Sequence, residues 1–377
     1  MKKRNKPVIP GFGLSMGITI SILSLVVLIP LASLVVYTAK LSFKDIIETI
    51  TRARVLASFY TSFVCAFAAA VINGIMGTIL AWVLVKYDFP GKRLMDGMIE
   101  LPFALPTAVA GIALTSPASD SGIVGSFFAG FGIKIAYTRI GITVAMIFVG
   151  IPFVVRSVQP VLEKMDNSYS EAAGVLGAKK TTIFWKVIFP ELKPAIFAGT
   201  GLAFGRCLGE YGSVVFIAGN KPYYTEITPL VIMSELQEFD YSSATAVALV
   251  MLAVSFFILF LNSMITAEKC KNFKRRKCLM DNNEKTSEKI TKWLLVGISV
   301  LFLAVMLLLP LITVITEALR SGWKVYAAAV TDEYTIKALL LTVKATIFAV
   351  VFNTVFGVFA AWALTKFQFR GKSFLPH

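Results

Sequence analysis

The chain has 377 residues, of which 56% are hydrophobic and 16% charged. The apolar share lies above, and the charged share below, what soluble domains carry, which excludes an ordinary soluble fold and places the chain in a bilayer. The net charge of +15 does not signal nucleic acid, because the basic residues sit at the ends of apolar segments and in short connecting loops.

A spanning helix needs about 20 predominantly apolar residues. Taken in order, the segments that meet this are 14 to 37, 58 to 85, 97 to 115, 138 to 156, 194 to 219, 243 to 266, 292 to 316 and 337 to 365. The first follows MKKRNK, as a signal peptide would, but it is long enough to span and no small-residue cleavage site follows, so it reads as a retained helix. Basic clusters then fall on one side at alternate turns: MKKRNK, KYDFPGKR, Arg156, EKCKNFKRRKC and KFQFRGK. The positive-inside rule makes that side, and the N-terminus, cytoplasmic. AKLSFKDIIETITRAR is mildly basic and Lys221 to Asp240 acidic on balance; both fall outside.

Cys65 and Cys207 lie in apolar segments, Cys270 and Cys278 in a basic stretch, and the one histidine is His377. That is no zinc pattern, and the cysteines read as apolar filler and reduced cytosolic thiols.

Laid over itself at a shift of 280, the chain repeats. NGIMGTILAWVLVKYDFPGK from Asn73 and NTVFGVFAAWALTKFQFRGK from Asn353 share nine residues, and Pro30 falls on Pro310. About one identity is expected by chance. Residues 291 to 377 therefore read as the start of a second copy of residues 1 to about 95. Between the copies, 267 to 290 read as a flexible, basic cytosolic linker.

One polar stretch on the cytoplasmic side is unlike its surroundings: EAAGVLGAKKTTIFWKVIFP, Glu171 to Pro190. Ser168 and Glu171 have the spacing of a capping box. Ala172 and Ala173 favour the helix that follows, Gly177 supplies a left-handed stop, and Thr181 and Thr182 start a second helix that Pro190 is expected to end. Two roles fit a short helix pair with an apolar surface: an interfacial element anchored by Trp185, or a knob on which a cytosolic partner docks.

Here the residues carry a resemblance. Glu171, Ala172, Ala173 and Gly177 match the EAA loop of importer-type ABC permeases, and Pro190 has the spacing of that loop; Val187 and Phe189 stand where the family prefers Ile and Leu. LPFALPTAVAGIALT, IPFVVRSVQPVLEKMD and FGRCLGEYGSVVFIAGN extend the likeness to T-type permeases of bacterial sulfate/thiosulfate importers over residues 10 to 266. The second copy resembles the beginning of a W-type permease, so the chain resembles a T–W fusion cut short.

The resemblance implies an all-α polytopic bundle of the MetI-like kind, with six helices and two more from an incomplete second copy. Residues 1 to 266 would form the T-type domain with its loop at 168 to 194, and 291 to 377 the second domain. It also implies a bacterial inner membrane location. The implied partners are a cytosolic ABC ATPase dimer, a W-type permease and an extracytoplasmic sulfate-binding protein. No cofactor is implied for the chain itself; ATP and Mg²⁺ would be used by the ATPase, since the chain lacks a phosphate-binding G-x-x-x-x-G-K-[ST] loop.

A dianion needs donors along its route, because an unpaired charge in hydrocarbon is costly. Arg206 and Glu210 are four residues apart on one helix face, and either an anion contact or an internal ion pair accounts for them. Gly201, Gly205 and Gly209 permit close helix approach, and Gly209, Tyr211 and Gly212 are candidates for an outward gate. Pro102 and Pro106 are expected to bend the third helix, either as a simple kink or beside a cavity where freed N–H groups meet an oxyanion. An ion-coupled carrier would leave the EAA loop unexplained, and an intramembrane enzyme would lack a metal set or a Ser/His pair. Molybdate or tungstate remains an alternative cargo, since permeases for those anions share much of LGEYG.

Overall fold

The computed structural model describes residues 12–165, 177–273 and 288–366. Among them the ordered elements are helices. They fall into two compact units, one from Leu41 to Glu317 and one from the described parts of Met1–Lys40 and Ala318–His377. Among the described residues seven helices are long and apolar enough to cross a membrane, and the pair Lys92–Ala104 and Thr107–Ala118, bent by 112°, is long and apolar enough only when taken together.

The larger unit is built on three helices, Ala53–Lys86, Arg139–Lys164 and Phe189–Leu208, packed side by side. In lipid, helices gain little from hiding apolar surface and associate through close packing instead. The sequence meets that need with small residues at helical spacing: Ala66, Ala69, Ala70, Asn73, Gly77 and Ala81 are all buried on one side of Ala53–Lys86. At Gly77 the approach is tight enough that a Cβ would lie 2.8 Å from the side chain of Val154. Outward-facing Phe67, at 65% exposed, and Ile75, at 58%, belong to the lipid-facing side.

Three long helices share one irregularity. Each contains a five-residue π-helical turn, at Ser24–Leu28, Phe184–Ile188 and Ala304–Leu308, and each has a proline two residues further on, Pro30, Pro190 and Pro310. Proline has no N–H, and its ring collides with the carbonyl four residues earlier. That carbonyl falls inside the widened turn in every case, where the backbone has room for the ring. This corrects the expectation at Pro190: the helix begun at Lys180 passes through the proline and continues to Leu208.

Other boundaries also move. The fifth span ends at Leu208 rather than 219, and a separate short helix, Gly212–Ile217, follows it. Tyr241–Phe273 runs into the segment expected as linker, and the next helix starts at Glu288; 274–287 lie outside the described residues. The stretches 39–54 and 221–240 hold helices that apolar length could not reveal. Phe43–Thr51 opens on a capping box of Ser42 and Asp45, and Thr228–Gln237 follows the acidic loop.

In the smaller unit, Phe12–Leu23 packs along Glu333–Lys366. In the larger one, the helix from Glu288 packs on Ala53–Lys86.

Candidate functional site

At the corner before the helix that starts at Lys180, Gly177 has φ +78°, and a side chain added there would meet nothing within 4 Å. Gly177 therefore has the left-handed backbone expected of it, while the helix it was expected to stop lies outside the described residues. Glu171, Ala172, Ala173 and Ser168 lie outside the described residues. Beyond the corner, Phe184, Trp185 and Phe189 form an aromatic cluster with ring centroids 5.0 to 6.2 Å apart. Phe184 meets Trp82 edge-on at 5.6 Å, which fastens the helix leaving the loop to Ala53–Lys86. Trp185 stays 60% exposed.

The helical run from Lys180 carries Arg206 in its last turn. Arg206 Nη1 lies 2.6 Å from Glu210 Oε2, with the Glu210 side chain 2% exposed and that of Arg206 35%. The other carboxylate oxygen, Oε1, accepts bonds from Ser213 N and Ser213 Oγ, both at 2.9 Å. Glu210 is thus held from two sides, while the guanidinium keeps one face open. Both readings of this pair have a physical basis: the ion pair exists, and its cation remains reachable.

The third span brings its break to the same place. Leu101–Ala104 ends, Leu105 and Pro106 are extended or turned, and Thr107–Ala118 starts afresh with Pro106 at its N-cap position. Pro102 sits in the first turn of the preceding helix, where a missing N–H costs nothing. Gly212 lies directly against Thr107, and a Cβ on Gly111 would stand 2.5 Å from the carbonyl of Ser213. The helix that starts after Pro106 and the Gly-Glu-Tyr-Gly run, separated by about a hundred residues, therefore meet at one corner. Tyr211 is 37% exposed there.

Of the three glycines expected to bring helices together, two do. Gly201 abuts Asn262, and a Cβ on Gly205 would sit 3.1 Å from Leu259. Gly209 does not, since its nearest neighbour would be the carbonyl of Arg206 at 4.0 Å; the helix has already ended.

Two polar clusters went unrecognised in the sequence. Arg156, read there only as a topological marker, bonds Asp96 Oδ1 at 2.8 Å, Glu100 Oε1 at 2.8 Å and Gln159 Oε1 at 2.6 Å. It ties Arg139–Lys164 to Asp96 and Glu100 in the first half of the bent pair. On the opposite face Arg54 grips both oxygens of Glu226, at 2.9 and 2.6 Å, and bonds Ser234 at 3.0 Å. Arg139 lies between the rings of Tyr60 and Tyr224, 5.2 and 5.1 Å from their centroids. A signal existed: the mildly basic TRAR and the acidic stretch after Lys221 are complementary. Burial raises the Glu235 carboxyl in this region, whereas bonds from Ser243 hold that of Asp240 low. Among the described residues no group of three or more His, Cys, Asp or Glu could hold a metal ion.

Comparison with known proteins defines the class. Residues 73–267 match the family described as "Binding-protein-dependent transport system inner membrane component", and the chain belongs to that family. It is a multi-pass membrane component of a transport system, not an enzyme. Within the class, it is 49% identical over 256 residues to the sulfate transport system permease protein CysT of Escherichia coli strain K12, covering 68% of this chain and 92% of that protein. The CysT of Synechocystis is 44% identical over 248 residues, 66% of this chain and 87% of the relative. A solved bacterial ABC transporter that imports the acidic polysaccharide alginate aligns at a TM-score of 0.56 and 16% identity, over 66% of this chain and 92% of its own. That last likeness is one of fold: an all-helical importer permease, as expected.

Proposed function

We propose that residues 1 to 266 form one membrane half of an ATP-driven importer that carries sulfate or thiosulfate across the bacterial inner membrane. The N-terminus lies in the cytoplasm. Loop 168 to 194, with Glu171, Ala172, Ala173, Gly177 and Pro190, docks on a cytosolic ATPase dimer that uses ATP and Mg²⁺; this chain itself needs no cofactor. A W-type permease supplies the second half, and an extracytoplasmic sulfate-binding protein delivers the anion. Support for such a delivery protein comes from the alginate transporter, which has been solved together with an alginate-bound periplasmic protein.

The observation that carries the proposal is continuity. One helical run, Lys180–Leu208, starts three residues after the exposed Gly177 and carries Arg206 in its last turn, with Glu210 just beyond its end, so a displacement of that run by the ATPase reaches the charged corner. There Glu210 fixes the guanidinium, and Tyr211, Gly212 and the break after Pro106 line the space beside it. The cation offers the anion a charge-assisted donor, while Glu210 limits the cost of holding that cation in the membrane. The substrate class follows from the identity to sulfate permeases.

The test is radiolabelled sulfate uptake in a permease-deficient bacterium supplied with the ATPase and binding protein, expressing this chain with or without a W-type permease. Uptake that needs the added permease, and that is lost in Gly177→Arg together with ATPase binding, is the expected result. Uptake of molybdate in place of sulfate would overturn the substrate, and unchanged ATPase binding by Gly177→Arg would overturn the docking role.

A further inference from the structure

The polar stretch 171–190 is entered from Arg139–Lys164 and left by the run Lys180–Leu208. The second of these reaches Arg206 directly. The first carries Arg156 about two turns before its end, and transport as described so far gives that side chain no task.

The Arg156 guanidinium joins helices as well as residues. Its Nη1 donates to Asp96 Oδ1 at 2.8 Å, and its Nη2 to Glu100 Oε1 at 2.8 Å and to the backbone carbonyl of Asp96 at 3.2 Å. Asp96 belongs to Lys92–Met98, and Glu100 stands at the N-cap position of Leu101–Ala104. One cation therefore closes the joint between two short helices and fixes both to Arg139–Lys164. Gln159 orders it from its own helix, accepting from Nη1 at 2.6 Å and donating to Glu163 Oε1 at 3.1 Å. Nε is buried without a partner, so the whole grip falls on the two Nη atoms. A lone exposed ion pair contributes little. Here the side chain is only 32% exposed, and bonds from one guanidinium to two carboxylates and a carbonyl are charge-assisted and directional.

The bent pair continues past Pro106 into Thr107–Ala118, which abuts the Gly-Glu-Tyr-Gly corner where Gly212 meets Thr107 and Gly111 meets Ser213. The corner thus has two sides, each joined to one end of the polar stretch. Arg206 and Glu210 are reached through the run from Lys180, and Thr107 and Gly111 through Arg156. The edge-on contact of Phe103 with Phe153, ring centres 5.2 Å apart, runs beside the second connection, but apolar packing is non-directional and does not by itself fix one helix against sliding on another. We propose that Arg156 is a positioning residue for transport: it makes Lys92–Ala104 follow Arg139–Lys164, so that both sides of the corner move together when the ATPase displaces the loop. The coupling rests on the reading of this chain as an ATP-driven permease half; the clamp itself does not.

Two measurements on the full chain test it. In the purified chain, Arg156→Gln should raise amide hydrogen exchange across 92–104 about tenfold and leave 189–208 unchanged. In the importer reconstituted with a W-type permease, the ATPase and the binding protein, the same variant should keep ATP hydrolysis while sulfate carried per ATP falls about fivefold. Asp96→Asn combined with Glu100→Gln should give the same fall, and adding Arg156→Gln to them no further one. Unchanged exchange in 92–104, an unchanged ratio of sulfate to ATP, equal falls in uptake and hydrolysis, or additive losses would each overturn the positioning role. The exchange measurement needs neither ATPase nor anion. A wild type that carries no sulfate would therefore refute the importer reading, and exchange alone would then decide whether Arg156 clamps the bent pair.

Discussion

Helices Ala53–Lys86 and Glu333–Lys366 are the two copies of one repeat, yet they meet different surroundings. In the first, Asn73 is 0% exposed and Gly77 faces Val154 at 2.8 Å from a would-be Cβ. In the second, Asn353 is exposed and Gly357 has nothing within 4 Å. The shared residues specify a helix with a small-residue face; burial of that face is supplied by Arg139–Lys164 and Phe189–Leu208. Local sequence thus sets what a helix can accept, and tertiary partners decide whether it does.

The comparison can be broken most sharply at the matched glycines. Gly77→Leu overfills a closed contact and should lower stability by about 3 kcal/mol, whereas Gly357→Leu should stay within about 0.5 kcal/mol. Thermal unfolding of the purified chain in detergent checks both, and equal losses would mean the second helix is packed like the first. Next in size is the tie that the second copy lacks. Where the first helix has Arg54, the second has Tyr334, 82% exposed. Glu226→Gln removes the carboxylate from a bidentate, half-sheltered pair and should cost about 2 kcal/mol. Faster proteolysis of 219–240 from the outer face reports it, and an unchanged rate would show that the pair contributes nothing.

The smallest effect is at Asp240, which caps Tyr241–Phe273 by accepting from Ser243 N at 3.0 Å. Asp240→Ala should cost about 1 kcal/mol. Because the folded carboxyl is held low, its contribution is complete above the ordinary carboxylate pKa and fades as pH falls through the depressed value. Glu235, raised by burial, acts with the opposite sign: its charged form penalises folding as pH rises past the ordinary value, so Glu235→Gln should gain stability at neutral pH. Melting curves from neutral to acid pH separate the two, and parallel pH profiles for wild type and Asp240→Ala would sink the cap.

Much of this was legible because it is local. Arg206 and Glu210 pair four residues apart at one helix end, and the span that holds Pro106 breaks there, as residue type requires, whereas Pro102 sits in a first turn without bending it. The bonds of Arg156 to Asp96 and of Arg54 to Glu226 cross 60 and 172 residues, and helical periodicity carries no information about which distant helix becomes a neighbour. Pro190 was misleading for a different reason. A proline stops an α-helix of ordinary pitch, and nothing in FWKVI announces a wider turn. Of the loop motif, Gly177 and Pro190 can be placed, while Glu171 to Ala173 fall outside the described residues.

The widened turn at Phe184–Ile188 also sets an angular phase. A π turn takes in one residue more than an α turn, so side chains before and after it are offset by about 100° about the axis relative to an unbroken helix. The heading of the loop end and the heading of Arg206 are therefore clocked against each other by that single surplus residue. Removing one residue from 184–188 would leave every contact downstream of Pro190 in place and still turn the segment before it by about a quarter of a circle.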